Sequence, residues 1–187
     1  MATRIEVGPY VMEWATEQEV YERRRRGATL VDEIGTVVTA EQVVTLTVHT
    51  APLGDPILLV VVGHAPWYEG HQPNVGILLV PETHVLFVGA SDVALAYDLR
   101  GPTRLWREEA EYGFWNWQRH GAYVVMAAEL ELAAWDIHGI KQWETFVEPP
   151  YDYTVADGTV YLTVMGVPAP FALAHGPAWG GSLPWSS

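Results

Sequence analysis

Seven histidines and 23 carboxylates are the side chains of this 187-residue chain that could do acid–base or metal chemistry, and cysteine is absent. With no thiol there is no cysteine nucleophile, disulfide framework, cysteine-ligated zinc or iron–sulfur cluster. No two of the seven histidines have the i, i+4 spacing of a helical metal pair. His64 and His71 share one Pro/Gly-rich segment with Glu69 between them, so His64, Glu69 and His71 are weak candidates for a three-ligand divalent metal site, against the plain reading of polar loop residues. Glu108, Glu109 and Glu111 form a local acidic cluster, and Glu129 and Glu131 share one strand face. Paired carboxylates serve glycosidic chemistry only when a cleft holds them ~5–10 Å apart, and a solvated acidic loop is the plain alternative. Ser91 lacks a nucleophile elbow and reads as a turn residue. No phosphate-binding glycine loop is present. These residues point to no catalytic site and no cofactor, and the expectation is a protein that is not an enzyme.

Charge and aromatic content describe a binder better. The formal charge is −13, carried by nine arginines and one lysine against 23 acids. The first 26 residues are neutral, so the whole excess belongs to residues 27–187. Such a chain lacks the clustered bases that nucleic acid requires. The tetra-arginine run, Arg23 to Arg26, suits the C-terminal turn of a helix, where cations meet the negative end of the dipole. The segment Glu108 to His120 brings acids next to Tyr112, Phe114, Trp115 and Trp117, with Arg119 after them. On a regular strand Trp115 and Trp117 would share one face and Phe114 and Asn116 the other. Together with Trp67 and Tyr68, the residues Glu108, Glu109, Glu111, Tyr112, Trp115, Trp117 and Arg119 make a candidate aromatic and acidic contact surface, since Trp, Tyr and Arg dominate interface energies. Core packing between sheets is the alternative for the tryptophans.

The elements that must position these residues are mostly strands. Thr16 to Glu19 fits a capping box ahead of a short helix over about 17–26, with Val20 and Tyr21 facing inward and Gly27 as its stop. Beyond it, β-branched runs at 36–39 and 43–48 and the continuous apolar run from Pro56 to Gly63 read as strands. From residue 76 onward eleven short strands are expected, separated by turn residues, with Asp157-Gly158 the strongest hairpin signal. The expected class is mainly β: antiparallel hairpins in an open stack or a two-sheet sandwich. It is read as one domain, with residues 1–75 leading in, 76–175 repetitive and 176–187 an irregular tail. No apolar run approaches the ~20 residues of a membrane helix, and no signal peptide is read at the start, so the cytoplasm is the expected location.

The repeat is explicit. Val85 to Trp106 and Tyr123 to Trp143 each carry an apolar strand, a turn, a second strand ending in Asp, a Gly turn and a closing Trp. Asp98, Gly101 and Trp106 correspond to Asp136, Gly139 and Trp143, and Val160 to Gly176 is a third copy without the Asp and the Trp. This pattern resembles the blades of quinoprotein-type and WD-like β-propellers. The resemblance implies four-stranded antiparallel sheets in which Asp98 and Asp136 cap tight turns and Trp106 and Trp143 pack between neighbouring sheets. Three units of this size are too few for a closed propeller.

Three functions are therefore expected as alternatives. The first is a non-enzymatic acidic protein that binds a basic protein partner, of the kind an immunity protein or inhibitor would be. The second is a small-molecule or carbohydrate-binding protein, or a metal-dependent enzyme using the His64–His71 segment. The third is a homo-oligomeric subunit that covers its exposed sheet edges with another copy.

Overall fold

The computed structural model describes residues 3–15, 18–35, 44–63, 75–110, 112–179 and 184–185. Those residues form sixteen strands and one helix, arranged as four small sheets. Sheet I has five strands: β1 (Thr3–Val7), β2 (Tyr10–Ala15), β3 (Leu30–Ile34), β4 (Val44–Thr50) and β5 (Pro56–Val62), in the order β1-β2-β4-β5-β3. Its only parallel pair is β3 with β5, and the helix α1 (Gln18–Gly27) makes the connection from β2 to β3. Sheet II is β6 (Val75–Val80), β7 (Val85–Ala90), β8 (Val93–Asp98) and β9 (Thr103–Glu109) in sequence order. Sheet III repeats that meander with β10 (Phe114–His120), β11 (Tyr123–Ala128), β12 (Glu131–Asp136) and β13 (Lys141–Phe146). Sheet IV has three strands, β14 (Tyr151–Ala156), β15 (Thr159–Val164) and β16 (Val167–Ala172).

The period-2 alternation of each central strand feeds two different cores. In β7 and β8, Leu86, Val88, Leu95 and Tyr97 pack against Met12, Leu46, Val48 and Leu58 of sheet I. The alternate residues Phe87, Ala94 and Ala96 face Trp117, Val124, Met126 and Trp135 of sheet III. In β11 and β12, Val125, Ala127, Leu132 and Ala134 face Val160, Leu162 and Phe171 of sheet IV. Sheets II and III are thus apolar on both faces, whereas Tyr161 and Thr163 of sheet IV leave its far face in solvent. No buried cluster among the described residues joins sheet IV to sheet I. The result is an open stack of propeller-like blades.

Several expectations change here. The N-terminal β1 and β2 were not anticipated, because Gly8-Pro9 breaks a short segment whose alternation is weak. The helix lies where expected, but Thr16 and Glu17, the side chains of residues 18–22 and the strand expected at 36–39 fall outside the described residues. A bulge between Phe114 and Asn116 rotates β10 by one position. Phe114 and Trp117 therefore both turn into the core between sheets II and III, and Trp115 turns away from it, so Trp115 and Trp117 do not share a face.

Candidate functional site: the wedges between the sheets

Neighbouring sheets splay apart at their outer strands, which leaves a wedge at each junction. The turn residues of the repeat set the spacing. Asp98 Oδ1 accepts the Arg100 amide at 2.9 Å, and Asp136 Oδ1 accepts the amides of His138 at 2.8 Å and Ile140 at 3.0 Å. Trp106 then reaches from sheet II to sheet III, donating from Nε1 to Gly139 O at 2.7 Å and stacking on Trp135 at 5.0 Å. One repeat later, Trp143 donates to Leu173 O at 2.5 Å and lies over Gly176. Each closing tryptophan thus seats on the glycine turn of the next sheet; both glycines have positive φ, and a Cβ on Gly176 would collide with Trp143.

The three wedges are filled differently. Between sheets I and II, Asp32 is almost fully buried and accepts Arg104 Nη1 at 2.8 and 3.0 Å and Tyr97 Oη at 3.0 Å. Burial, followed by the adjacent Asp32 charge, raises the Tyr97 pKa, so its hydroxyl stays a donor. Arg107 adds a bond to the Glu33 carbonyl at 3.0 Å. Between sheets III and IV the chain's own tail fills the space. Trp179 donates to Thr145 Oγ1 at 3.1 Å and meets Phe171 edge-on, and Trp185 is buried against Trp179.

Between sheets II and III the space is held by one cation. Lys141, the single lysine of the chain, binds Glu108 of β9 and Glu144 of its own strand, the latter at 2.6 Å. Its ammonium also sits 5.2 Å from the Trp135 ring centre. Burial opposes the Lys141 charge, but its hydrogen bonds to Glu108 and Glu144 outweigh that and raise its pKa. Beside it lies a cavity of about 460 Å³ lined by Glu108, Glu109, Leu130, Glu131, Lys141, Glu144, Thr145 and Phe146. Four carboxylates and an apolar floor thus share one resident positive charge. A second cavity, of about 390 Å³, lies on the other side of Glu108 and Glu109 against Gly35, Asp92 and Arg107.

Backbone hydrogen bonds tie the rim above this wedge. Ala110 N bonds Asp92 O at 2.7 Å, Phe114 N bonds Ser91 O at 2.6 Å, and Glu129 N bonds Gly113 O at 2.9 Å. Tyr112 sits on that linker at φ 60°, a left-handed conformation that costs a bulky residue about 1–2 kcal/mol. Its ring is 73% exposed. Trp115 follows, 37% exposed and stacked on Tyr151 at 5.0 Å.

Of the candidate contact residues, Glu108, Glu109, Tyr112 and Trp115 thus occur along one rim. Trp117 is only 9% exposed and packs on Phe87, Phe114 and Trp135, so it presents nothing to a partner. Arg119 lies at the far end of β10, paired with Glu82 at 2.5 Å. His64, Trp67, Tyr68, Glu69, His71 and Glu111 lie outside the described residues. Among the described residues no group of three or more histidines and carboxylates is placed to hold a metal ion. Ser91 is a buried turn residue at φ 54°. Sequence reasoning missed Lys141, Glu144 and Phe146, and it weighed Glu131 only as a partner of Glu129. The one available signal was that the chain's single lysine falls two residues before a repeat tryptophan.

No family model matches this chain, and no curated protein matches it in sequence. Among solved structures, several have a distant similarity to this chain. Sqt1 of Saccharomyces cerevisiae is 11% identical over 91% of this chain and 45% of its own, with a TM-score of 0.48. BamB from Moraxella catarrhalis is 11% identical over 73% of this chain and 41% of its own, with a TM-score of 0.40. The computationally designed Ika4 protein is 15% identical over 76% of this chain and 89% of its own, with a TM-score of 0.44. This chain spans less than half the length of Sqt1 and of BamB. The blade-like character rests on its own four sheets and their order. No helix of the described residues is long and apolar enough to cross a membrane.

Proposed function

We propose that this chain is a binding protein, and that the wedge between sheets II and III receives a cationic side chain of a protein partner. The observation that carries this reading is the contrast between wedges. The one between III and IV is filled by the chain's own Trp179 and Trp185, whereas the one between II and III holds a cavity of about 460 Å³ with Lys141 the only cation among its described lining residues. An incoming arginine would lay its methylenes on Leu130 and Phe146 and place its guanidinium among Glu108, Glu109 and Glu144. Charge-assisted, fork-like contacts of that kind are among the stronger polar interactions. The −13 formal charge would speed encounter with a basic partner, in the manner of an immunity-type or inhibitor protein.

The test is calorimetric titration with an acetylated, amidated tetraarginine peptide at low salt. Two double variants with equal charge change are compared. Glu108→Gln with Glu144→Gln removes wedge charge, and Glu82→Gln with Asp157→Asn removes it from the opposite rim. The proposal expects the first pair to weaken binding by roughly tenfold or more and the second by less than about threefold. Equal losses would show that the peptide reads only net charge and would sink the wedge as a site.

A further inference from the structure

The free edge of sheet I has a geometry suited to a second copy of this chain. β1 ends the sheet and pairs only with β2 among the described strands. The direction of its free backbone groups follows from one bond. Ala51 N donates to Pro9 O at 2.8 Å, so residue 9, and by alternation Val11 and Glu13, point their backbone polar groups toward β4. Tyr10, Met12 and Trp14 therefore point theirs toward β1, where they meet Val7, Ile5 and Thr3. This leaves the N–H and C=O of Arg4 and Glu6 aimed out of the sheet.

We propose that β1 pairs antiparallel with β1 of a second copy about a two-fold axis at Ile5. That register places Arg4 opposite the partner's Glu6, and Glu6 opposite the partner's Arg4. The four residues whose backbone groups point outward are then the ones that exchange hydrogen bonds. Their side chains sit as opposite-charge cross-strand pairs, the favourable arrangement. Within one copy, Arg4 Nη2 already reaches Glu6 Oε1 at 2.7 Å in solvent, and pairing would add a second carboxylate to each guanidinium. Ile5 lies on the other side, the side of Met12 and the core between sheets I and II. It is 43% exposed and would close against the partner's Ile5. The contact is isologous, so it stops at a dimer.

The last strand shows the opposite treatment. Leu173 N donates to Gly158 O at 2.9 Å, so Val167, Ala169 and Phe171 point toward β15. Pro168 and Pro170 occupy the outward positions of β16, where neither has an N–H to offer. One end of the stack is thus blunted against strand addition, and the other carries a self-complementary charge pattern.

Sedimentation analysis over a concentration series tests the pairing. The proposal expects a monomer–dimer equilibrium for the native chain. Arg4→Glu or Glu6→Arg alone places like charges opposite each other and weakens dimerisation roughly tenfold or more. Two further samples should recover it: the double variant Arg4→Glu with Glu6→Arg, and an equimolar mixture of the two single variants. Because the double variant regains pairing, misfolding of β1 would not explain the single-variant losses. A native chain that stays monomeric throughout, or single variants that dimerise like the native chain, would overturn the proposal.

Discussion

The wedge between sheets III and IV and the wedge between sheets II and III begin from the same repeat and end differently. Both open beside a closing tryptophan seated on the glycine turn of the next sheet: Trp143 over Gly176 in one, Trp106 over Gly139 in the other. In the first, a nonrepetitive tail brings Trp179 and Trp185, and the space becomes core. In the second, Lys141 between Glu108 and Glu144 bridges the sheets and leaves a cavity. Apolar filling gives stability because burial of rings removes large areas from water. A partly exposed ion triad gives little, since its Coulomb gain is screened and offset by side-chain ordering. The difference teaches that the alternating core and the tryptophan–glycine seat can hold neighbouring sheets together without apolar filling of the outer wedge, which frees that wedge for another use.

The three repeat glycines break this comparison most directly. A Cβ at Gly176, at φ +69°, would lie 2.5 Å from Trp143 Cβ, which has little room to move. We expect Gly176→Ala to cost about 3–4 kcal/mol by urea unfolding, overpacking and left-handed strain acting together. At Gly139 the nearest atom is the flexible end of Leu105 at 3.0 Å, and the expected cost falls to about 1–2 kcal/mol of strain. Gly101 has nothing within 4 Å and no positive φ, so Gly101→Ala should stay within about 0.5 kcal/mol of the native chain. Equal costs at all three would mean that the tryptophan seats do not set the stack.

Filling and charge can be separated next. Trp179→Ala removes edge-on contacts with Phe171 and Trp185 and the bond to Thr145, for an expected loss of about 2 kcal/mol. Lys141→Met keeps the stem against Trp135 and removes only the charge, so thermal unfolding should report a change below about 1 kcal/mol. A larger loss at Lys141 than at Trp179 would invert the account of the two wedges.

The smallest effect is a pH dependence on the far rim. Burial holds the His120 pKa below its ordinary 6.5. The unfolded chain therefore binds this proton more readily. The stability contributed by neutral His120 is present above pH 6.5 and is lost as pH falls through the lowered folded value. Replacing His120 with Gln should flatten that part of the stability–pH curve, and an unchanged slope would remove His120 as its source.

Much of this was legible in the residues. The repeat of Asp, Gly and Trp marked the turns and the seats, because the residue types answer local needs: an oxygen for turn amides at Asp98 and Asp136, a left-handed position under the tryptophan at Gly139, and a ring long enough to cross to the next sheet. The apolar runs of β7, β8, β11 and β12 marked them as strands of the repeat, and the structure shows their burial on both faces. The bulge in β10 was not legible, since nothing in the run of aromatic residues distinguishes a strand that slips by one position, and that slip decides whether Trp117 or Trp115 meets solvent. Sheet I was legible in part: the runs at 43–48 and Pro56 to Gly63 are β4 and β5, whereas its parallel β3–β5 pair depends on contacts far apart in sequence and β1 and β2 alternate too weakly to stand out. The acidic groove was half legible. Glu108 and Glu109 stood out as a cluster, but Glu144 and Lys141 join them only because the outer strands β9 and β13 face each other, and Glu131 enters from the neighbouring β12.

The most direct measurement uses the single lysine as a reporter. Protein made with ε-¹³C-lysine gives one side-chain resonance, from Lys141. During titration with the tetraarginine peptide, the account predicts that this resonance moves and saturates with the calorimetric binding curve, as the incoming guanidinium competes for Glu108 and Glu144. A Lys141 resonance that stays in place while the peptide saturates the protein would contradict it.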